Sequence, residues 1–224
     1  MTTHVAICIV GFRNAEDIAA CAEALGASTH RDFEIVICEN GGAEAHQKLV
    51  SVLPRILPAG QPVHVHLAPG NLGYAGGVNL CMRASTGADA WWVLNPDTVP
   101  DPDALAELVA ALESGEHDLV GGIVYDEGEA VGSYGGRWRK WLARAESIGQ
   151  GKRLDDPIDE PAVARELGFI SGCSMLVGRR FLETTGYMRE DYFLYCEETG
   201  RHPCRRRKDR RLSRQSASRR QGRR

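Results

Sequence analysis

Short apolar runs separated by polar, glycine-containing segments recur through the first 125 residues. Most of these runs show no alternation, which predicts strands buried on both faces, as in a parallel sheet. The run 64–67 instead alternates between polar and apolar residues, so it predicts an edge strand whose two histidines face solvent rather than bind a metal. The predicted strands cover residues 5–10, 33–38, 64–67, 91–94 and 119–125.

Helices are predicted between these strands. Asn14 is a suitable N-cap, with Asp17 three residues later, and the pair Asp101 and Pro102 is a favourable helix start. Strand and helix alternate four times before a fifth strand, which predicts an α/β fold with a mostly parallel central sheet and helices on both faces. The predicted helices cover residues 15–25, 43–53, a segment that opens within 69–79 and ends near 86, and 102–112.

The pattern changes after Tyr125. Residues 126–161 are rich in glycine, acidic residues and arginine, which predicts long loops. Trp138 and Trp141 in this segment could stack on a sugar or pack beneath the loops. Beyond it, the sequence predicts a strand at 166–170, a second apolar segment at 175–177 and a short helix at 180–185.

The net charge of −3 conceals an uneven distribution. Residues 200–224 contain twelve basic side chains and one acidic side chain, whereas residues 1–199 contain 15 basic and 29 acidic ones. The basic segment has a single large aliphatic residue, Leu212, which predicts an irregular, disordered tail outside the core. A reading-frame shift near Glu198 would explain this tail, and so would a genuine basic arm that binds anionic lipid or nucleic acid.

Cysteine usage and hydropathy indicate the cellular compartment. The seven cysteines contain no Cys-x-x-Cys pair and lie mostly in apolar segments, so they are interpreted as reduced residues rather than as a disulfide framework or a zinc site. No apolar run has the length of a membrane span, and the amino-terminal residues do not resemble a signal peptide. These features predict a cytoplasmic protein.

Polar side chains follow two of the predicted strands. Pro96 ends the strand 91–94 and leaves Asn95 and Asp97 at its carboxyl end, the edge at which open α/β sheets bind ligands. A carboxylate beside a phosphate is a common way to hold Mg²⁺ or Mn²⁺, although Asp97 could also be a simple turn residue. Glu39 follows a second strand in the same way.

Two further segments carry candidate chemistry. Glycines at 70, 73, 76 and 77 resemble a phosphate loop, but the segment has neither the dinucleotide fingerprint nor a Walker lysine. They permit a ligand to approach a helix start closely, with Asn71 and Asn79 as hydrogen-bonding side chains. Glu197 and Glu198 follow an aromatic run, and the pair is either a general base with its neighbour or a solvated helix start.

These signatures occur in a fixed order along the chain, and together they resemble the inverting family 2 glycosyltransferases of the rhamnosyltransferase-like branch. The resemblance implies a single Rossmann-like nucleotide-diphospho-sugar transferase domain, the GT-A fold. The segments that carry it are Glu39-Asn40-Gly41, Asn71 to Asn79, Leu94 to Thr98, Ser171-Gly172, and Tyr192 to Glu198.

The resemblance also implies roles for individual residues. Glu39 would contact the uridine or thymidine of the donor, Asp97 would bind Mg²⁺ or Mn²⁺, and Glu198 or Glu197 would be the catalytic base. The family usually has a Thr or Ser with a Tyr-Asn pair in the first loop, and a Glu-Asp pair at the base, and this chain departs from both patterns. The implied donor contacts are Val10, Phe12, Glu39, Asn71, Gly73, Gly76, Asn79 and Asn95.

The predicted organisation is one glycosyltransferase domain, residues 1–199, with a donor half over 1–125, an acceptor half over 126–199 and the tail over 200–224. The predicted function is transfer of a sugar, rhamnose or a related one, from a UDP or TDP donor to a glycan or lipid-linked acceptor with inversion. The tail would support peripheral association with the inner face of a membrane, and nucleic acid is not an expected partner of this enzyme. The alternatives are an inactive donor-binding remnant and a basic-tailed protein that binds nucleic acid or anionic lipid.

Overall fold

A computed structural model describes residues 2–139, 141 and 144–191, together with the backbone of 210–220. The strands in this part of the chain are β1 (Val5–Gly11), β2 (Phe33–Glu39), β3 (Val63–Leu67), β4 (Ala90–Leu94), β5 (Thr98–Pro100), β6 (Leu119–Tyr125), β7 (Val131–Ser133), β8 (Gly136–Arg139), β9 (Arg144–Ser147), β10 (Ser174–Gly178) and β11 (Arg210–Arg220). The helices are α1 (Ala15–Gly26), α2 (Ala43–Val52), α3 (Gly73–Ala84), α4 (Ala104–Glu113), α5 (Glu160–Glu166) and α6 (Arg179–Thr185).

The main sheet is built around β1, which pairs in parallel with β2 on one side and β4 on the other. The strand order is β3-β2-β1-β4-β10-β6-β11-β5, and β7 pairs separately with β6. β10 runs antiparallel to both β4 and β6, so the sheet is mixed but mostly parallel. The predicted α/β fold is therefore confirmed, and so is the position of β3 at an edge.

Helices cover both faces of this sheet. On one face, α1 and α4 pack on alternate residues of β1, among them Ile7 and Ile9, in one apolar cluster. On the other face, α3 and α6 pack on Ala6 and Cys8, the intervening residues of β1, in a second cluster. Burial on two faces explains why the first strands are apolar without alternation.

Four local predictions differ from the structure. The helix predicted to start at Asp101 and Pro102 begins at Ala104, with Asp103 at its N-cap position. The predicted strand at 166–170 does not form. Glu166 is the last residue of α5, whose N-cap Asp159 accepts a hydrogen bond from the Ala162 N–H at 3.0 Å, and Phe169 makes an isolated β-bridge with Gly136. The predicted loop region 126–161 contains the strands β7, β8 and β9 as well as the start of α5. Asn14 precedes α1, but its Oδ1 accepts from the Phe12 N–H, at 3.0 Å, instead of capping the helix.

Part of the basic tail also differs from the prediction of an irregular conformation. The backbone of Arg210–Arg220 forms β11, which runs parallel to β6 and antiparallel to β5. Sheet pairing uses backbone N–H and C=O groups, so it does not require the apolar pattern from which strands are predicted. The division of residues 1–199 into donor and acceptor halves stays a prediction.

The described cysteines agree with the interpretation of reduced thiols. Cys8, Cys21, Cys38 and Cys81 are buried and free, and Cys173 is free and partly exposed. Desolvation raises the pKa of Cys38 to about 12, which keeps this thiol protonated at neutral pH. None of the helices in the described ranges combines the length and hydropathy needed to span a bilayer.

The central strand β4 predicts the first test. Trp92 is fully buried, and its Nε1 donates to the Ser174 Oγ of β10 at 3.0 Å. Trp92→Ala should therefore lower the free energy of unfolding by about 3–5 kcal/mol, measured by urea denaturation. The control Val50→Ala, at an exposed position of α2, should change it by less than about 0.5 kcal/mol. Equal effects of the two substitutions would contradict this account of the core.

Candidate active site

Parallel pairing brings the ends of three strands to one edge of the sheet. Gly11 at the end of β1 lies opposite Glu39 at the end of β2, and Ile9 lies opposite Leu94 at the end of β4. Glu39 and the residues after Leu94, which are far apart in sequence, therefore meet at the carboxyl edge. This is the edge at which α/β sheets of this kind bind ligands.

Glu39 is almost completely buried, with 1% of its surface exposed. Its Oε1 accepts hydrogen bonds from the backbone N–H of Gly41, at 2.6 Å, and of Arg13, at 3.1 Å. A Cβ at Gly11 would lie 2.7 Å from Oε2, so this position admits glycine alone without movement of Glu39. The carboxylate thus fixes the loops that follow β1 and β2.

Asn40 joins this edge to the start of α3. Its Nδ2 donates to the Gly73 carbonyl at 3.0 Å, and its Oδ1 accepts from the Leu72 N–H at 3.3 Å. Sequence analysis placed Asn40 in a signature but gave it no role. The only signal was its position directly after a strand, beside the glycine-rich segment.

The predicted donor contacts in the glycine-rich segment shape the first turn of α3. Asn71 Oδ1 accepts from the Gly73 N–H at 3.0 Å, and Gly73 has a φ of +69°. A Cβ at Gly76 would lie 2.7 Å from Cβ of Leu72, and one at Gly77 would lie 2.6 Å from Cγ1 of Val10. These glycines are required for a turn and for close packing of the helix on the sheet.

Tyr74 of α3 connects two of the sequence signatures. Its hydroxyl lies 2.7 Å from the Gly172 carbonyl and 3.2 Å from Asn95 Oδ1. The backbone N–H of Asn95 also donates to the Cys173 carbonyl at 3.1 Å. The turn after β4 and the turn before β10 therefore lie against each other at the edge.

Asp97 lies in the tight turn between β4 and β5. Thr98 donates from Oγ1 to the Asn95 carbonyl at 2.6 Å and closes this turn. Burial raises the pKa of the Cys21 thiol of α1 to about 12, and the charge of Asp97 adds to this rise. Asp97 as a residue is partly exposed at the edge, whereas its Oδ1 is buried.

The donor set fits a divalent ion that is shared with a ligand. Among the described residues, no three His, Cys, Asp or Glu side chains are grouped as a metal site. Mg²⁺ and similar ions commonly take one or two protein carboxylates and complete their shell with phosphate oxygens and water. Asp97 at an accessible turn is compatible with such a site.

Asn79 has a different position from the other predicted donor contacts. It is fully buried, its Nδ2 donates to the Met188 carbonyl at 2.9 Å and to Glu190 Oε1 at 2.7 Å, and its Oδ1 accepts from the Met188 N–H at 2.9 Å. Asn79 thus ties α3 to residues 188–190. The Asn79 amide is a positioning group in this structure.

Arg83 and Glu190 also take part in this contact, and sequence analysis missed both. Arg83 donates from a terminal nitrogen to Glu190 Oε1 at 3.2 Å, and its guanidinium lies 4.7 Å from the centre of the Tyr187 ring. Hydrogen bonds from Asn79 and then Arg83 hold the pKa of Glu190 below its usual value. The spacing of four between Asn79 and Arg83 on α3 was visible in the sequence. Their common partner, Glu190, was not.

The remaining predicted site residues differ in accessibility. Val10 is buried against α3, whereas Phe12 is 53% exposed beside the edge, with the Arg13 guanidinium 5.4 Å from the centre of its ring. Glu197 and Glu198 lie outside the described residues, so their proposed role stays a prediction.

The sequence matches the model of glycosyl transferase family 2 over residues 6–186. The chain therefore belongs to this glycosyltransferase family, whose members transfer sugars from nucleotide-sugar donors. A search of curated proteins gives no match.

Three solved structures share the fold at low sequence identity. The mannosyltransferase PcManGT from Pyrobaculum calidifontis, in complex with GDP-Man and Mn²⁺, has a TM-score of 0.64 and 13% identity over 98% of this chain and 57% of its own. GalNAc-T7 with UDP, GalNAc and Mn²⁺ has a TM-score of 0.69 and 13% identity over 98% of this chain and 44% of its own. S. aureus TarS 1-349 in complex with UDP has a TM-score of 0.61 and 10% identity over 96% of this chain and 59% of its own. The chain thus spans about half the length of these structures.

The Asn79 contact predicts a dependence of stability on pH. Because the pKa of Glu190 is lowered by folding, its ionised form stabilises the protein above the usual glutamate pKa of about 4.3, and this contribution is lost as the pH falls through the lowered value. Glu190→Gln should lower the free energy of unfolding at pH 7 by up to about 1 kcal/mol, because Glu190 is half exposed, and by less at pH 3.

Urea denaturation at the two pH values measures this difference. Glu23→Gln, at an exposed position of α1, is the matched control and should show a smaller difference at pH 7. A Glu190→Gln effect that is equal at both pH values would exclude an ionised Glu190 as its cause.

Proposed function

We propose that this family 2 chain is a metal-dependent, inverting glycosyltransferase whose donor lies at the carboxyl edge of β1, β2 and β4. The observation that carries the proposal is that Glu39, the turn that holds Asp97 and the start of α3 all lie at this one edge of the sheet. Glu39 and the start of α3 are linked through Asn40, and the turns at Asn95 and Gly172 are linked through Tyr74.

The proposed donor is a nucleoside diphospho-sugar of the UDP or TDP type. Two of the structures with this fold hold UDP and one holds GDP-Man, which supports the class of donor. The base would bind at the exposed loop around Phe12, beside the buried carboxylate of Glu39, and the amide groups at the start of α3 favour an anion. Rhamnose is proposed as the sugar because of the sequence resemblance. A cytoplasmic site of action is proposed because of the hydropathy of the chain.

Asp97 is the residue that would hold Mg²⁺ or Mn²⁺ together with the donor diphosphate. Two of the compared structures contain Mn²⁺, which supports this assignment. When bound, such an ion neutralises the charge that develops on the departing diphosphate. Asn95 contributes by fixing the turn that carries Asp97, through its contacts with Thr98 and Cys173.

The proposed base is Glu198, with Glu197 as its neighbour. Glu198 would take the proton from an acceptor hydroxyl while that oxygen bonds to the anomeric carbon and the bond to the diphosphate breaks. Attack from the face opposite the leaving group inverts the configuration. The acceptor is a glycan or a lipid-linked glycan.

The contact between Asn79 and Glu190 bears on how the proposed base is positioned. Glu198 follows Glu190 by eight residues, so fixing residues 188–190 on α3 limits where the segment that carries Glu198 can lie. The same helix begins at the proposed donor site. α3 would therefore hold the donor and the base at a fixed position relative to each other.

Calorimetric titration with UDP, TDP and GDP, with and without Mn²⁺, tests the donor site. Asp97→Ala should weaken the Mn²⁺-dependent binding by at least about tenfold, because it removes the proposed protein ligand. Asp103→Asn removes the same charge six residues away and should leave binding unchanged. If the folded wild type bound none of these nucleotides with Mn²⁺, the donor site would be wrong.

Substitution at the proposed base tests the chemical step separately. Glu198→Gln should reduce kcat by about 10²–10⁴-fold and leave the affinity for the nucleotide unchanged, because the group acts on the acceptor. The readout is release of nucleoside diphosphate in the presence of a glycan acceptor. Glu197→Gln is the adjacent control, and a larger loss in that variant would move the assignment to Glu197.

A further inference from the structure

A two-stranded ribbon formed by β8 and β9 stands apart from the main sheet. The two strands pair antiparallel, and they form a separate sheet. The ribbon is fixed at its base, where the Gly136 N–H donates to the Phe169 carbonyl at 2.9 Å and the Gly168 N–H donates to the Gly136 carbonyl at 2.7 Å. A Cβ at Gly136 would overlap the Phe169 ring, so the base is closely packed.

Two exposed tryptophans belong to the ribbon and its connection, Trp138 in β8 and Trp141 between β8 and β9. Trp138 is 42% exposed and Trp141 is completely exposed. Trp138 lies opposite Ala145 across the strands, and this small side chain covers little of an indole. Trp141 therefore does not pack beneath the loops, and both indoles offer an apolar surface with a polar N–H, the combination that suits the boundary between water and lipid.

The ribbon also carries an excess of positive charge. Arg137 and Arg139 both bond through Nε to Glu146 Oε2, at 3.0 and 2.9 Å, so two cations share one carboxylate of the ribbon. Arg139 lies directly opposite Arg144, and like charges in this position destabilise a strand pair. Glu166 of α5 also pairs with Arg137, so three arginines face two carboxylates, and one positive charge, that of Arg144, is left in excess.

We propose that this ribbon docks on an anionic lipid surface. The arginines would contact lipid phosphates, and the two indoles would enter the boundary between headgroups and acyl chains. Charge complementarity selects a phosphate-bearing surface, and exposed indoles beside it select a bilayer over a free anion. The proposal rests on the ribbon alone and does not depend on the proposed glycosyl transfer.

Binding of the full chain to vesicles tests this proposal. Vesicles of phosphatidylcholine with phosphatidylglycerol should bind the protein, and brominated acyl chains should quench the fluorescence of the exposed tryptophans. Trp91 and Trp92 are buried in the sheet and should not be quenched. The double variant Trp138→Ser with Trp141→Ser should lose the quenching.

A second double variant measures how much the arginine charges contribute to vesicle affinity. Arg139→Gln with Arg144→Gln should weaken binding to the anionic vesicles by about thirtyfold. Lys48→Gln with Arg55→Gln removes two positive charges on α2 and the segment after it, and should have little effect. Binding to phosphatidylcholine alone should be weaker than to the anionic vesicles.

Several outcomes would overturn the proposal. The basic tail contains no tryptophan, so vesicle binding without quenching by brominated lipid would assign binding to the tail or to another surface. Absence of binding to the vesicles that contain phosphatidylglycerol would exclude docking on an anionic membrane. Protection of the indoles from an aqueous quencher by soluble oligosaccharide, but not by vesicles, would identify a glycan-binding ribbon instead.

Discussion

The carboxylate of Glu39 is buried at the edge of the sheet, and a buried carboxylate is tolerated where hydrogen bonds replace its hydration. Here the backbone amides of Arg13 and Gly41 supply those bonds. A side chain at Gly11 would require this carboxylate and the side chain of Ile18 to shift. The loops after β1 and β2 are thereby fixed together, and the rest of the candidate site is built against them.

Helix α3 extends this constraint across the molecule. Asn40 holds its first turn, Tyr74 reaches the turns at Asn95 and Gly172, and Asn79 holds the segment 188–190. Gly73 and Tyr74 lie in the first turn of α3 and Asn79 lies in the second turn. A single element therefore relates the strand ends at the candidate site to residues 188–190.

The fold was predictable because its signals are local. Apolar runs without alternation report burial on two faces, and the alternating run reports an edge, whatever the distant contacts are. Residues 166–170 are an exception, since Glu166 belongs to α5 and Phe169 makes a single β-bridge with Gly136 instead of a ladder. β11 was missed because backbone pairing leaves little trace in the side-chain pattern.

By itself, the sequence determined the mostly parallel α/β fold and the strand ends at which Glu39, Asn95 and Asp97 lie. Only the tertiary structure decided which side chains meet, because a contact such as Asn79 with Glu190 joins residues that are 111 positions apart. It also decided that the indole of Trp141 is exposed, since burial depends on what the rest of the chain packs against it. Local pattern fixes secondary structure, whereas contacts between distant residues require the packed fold.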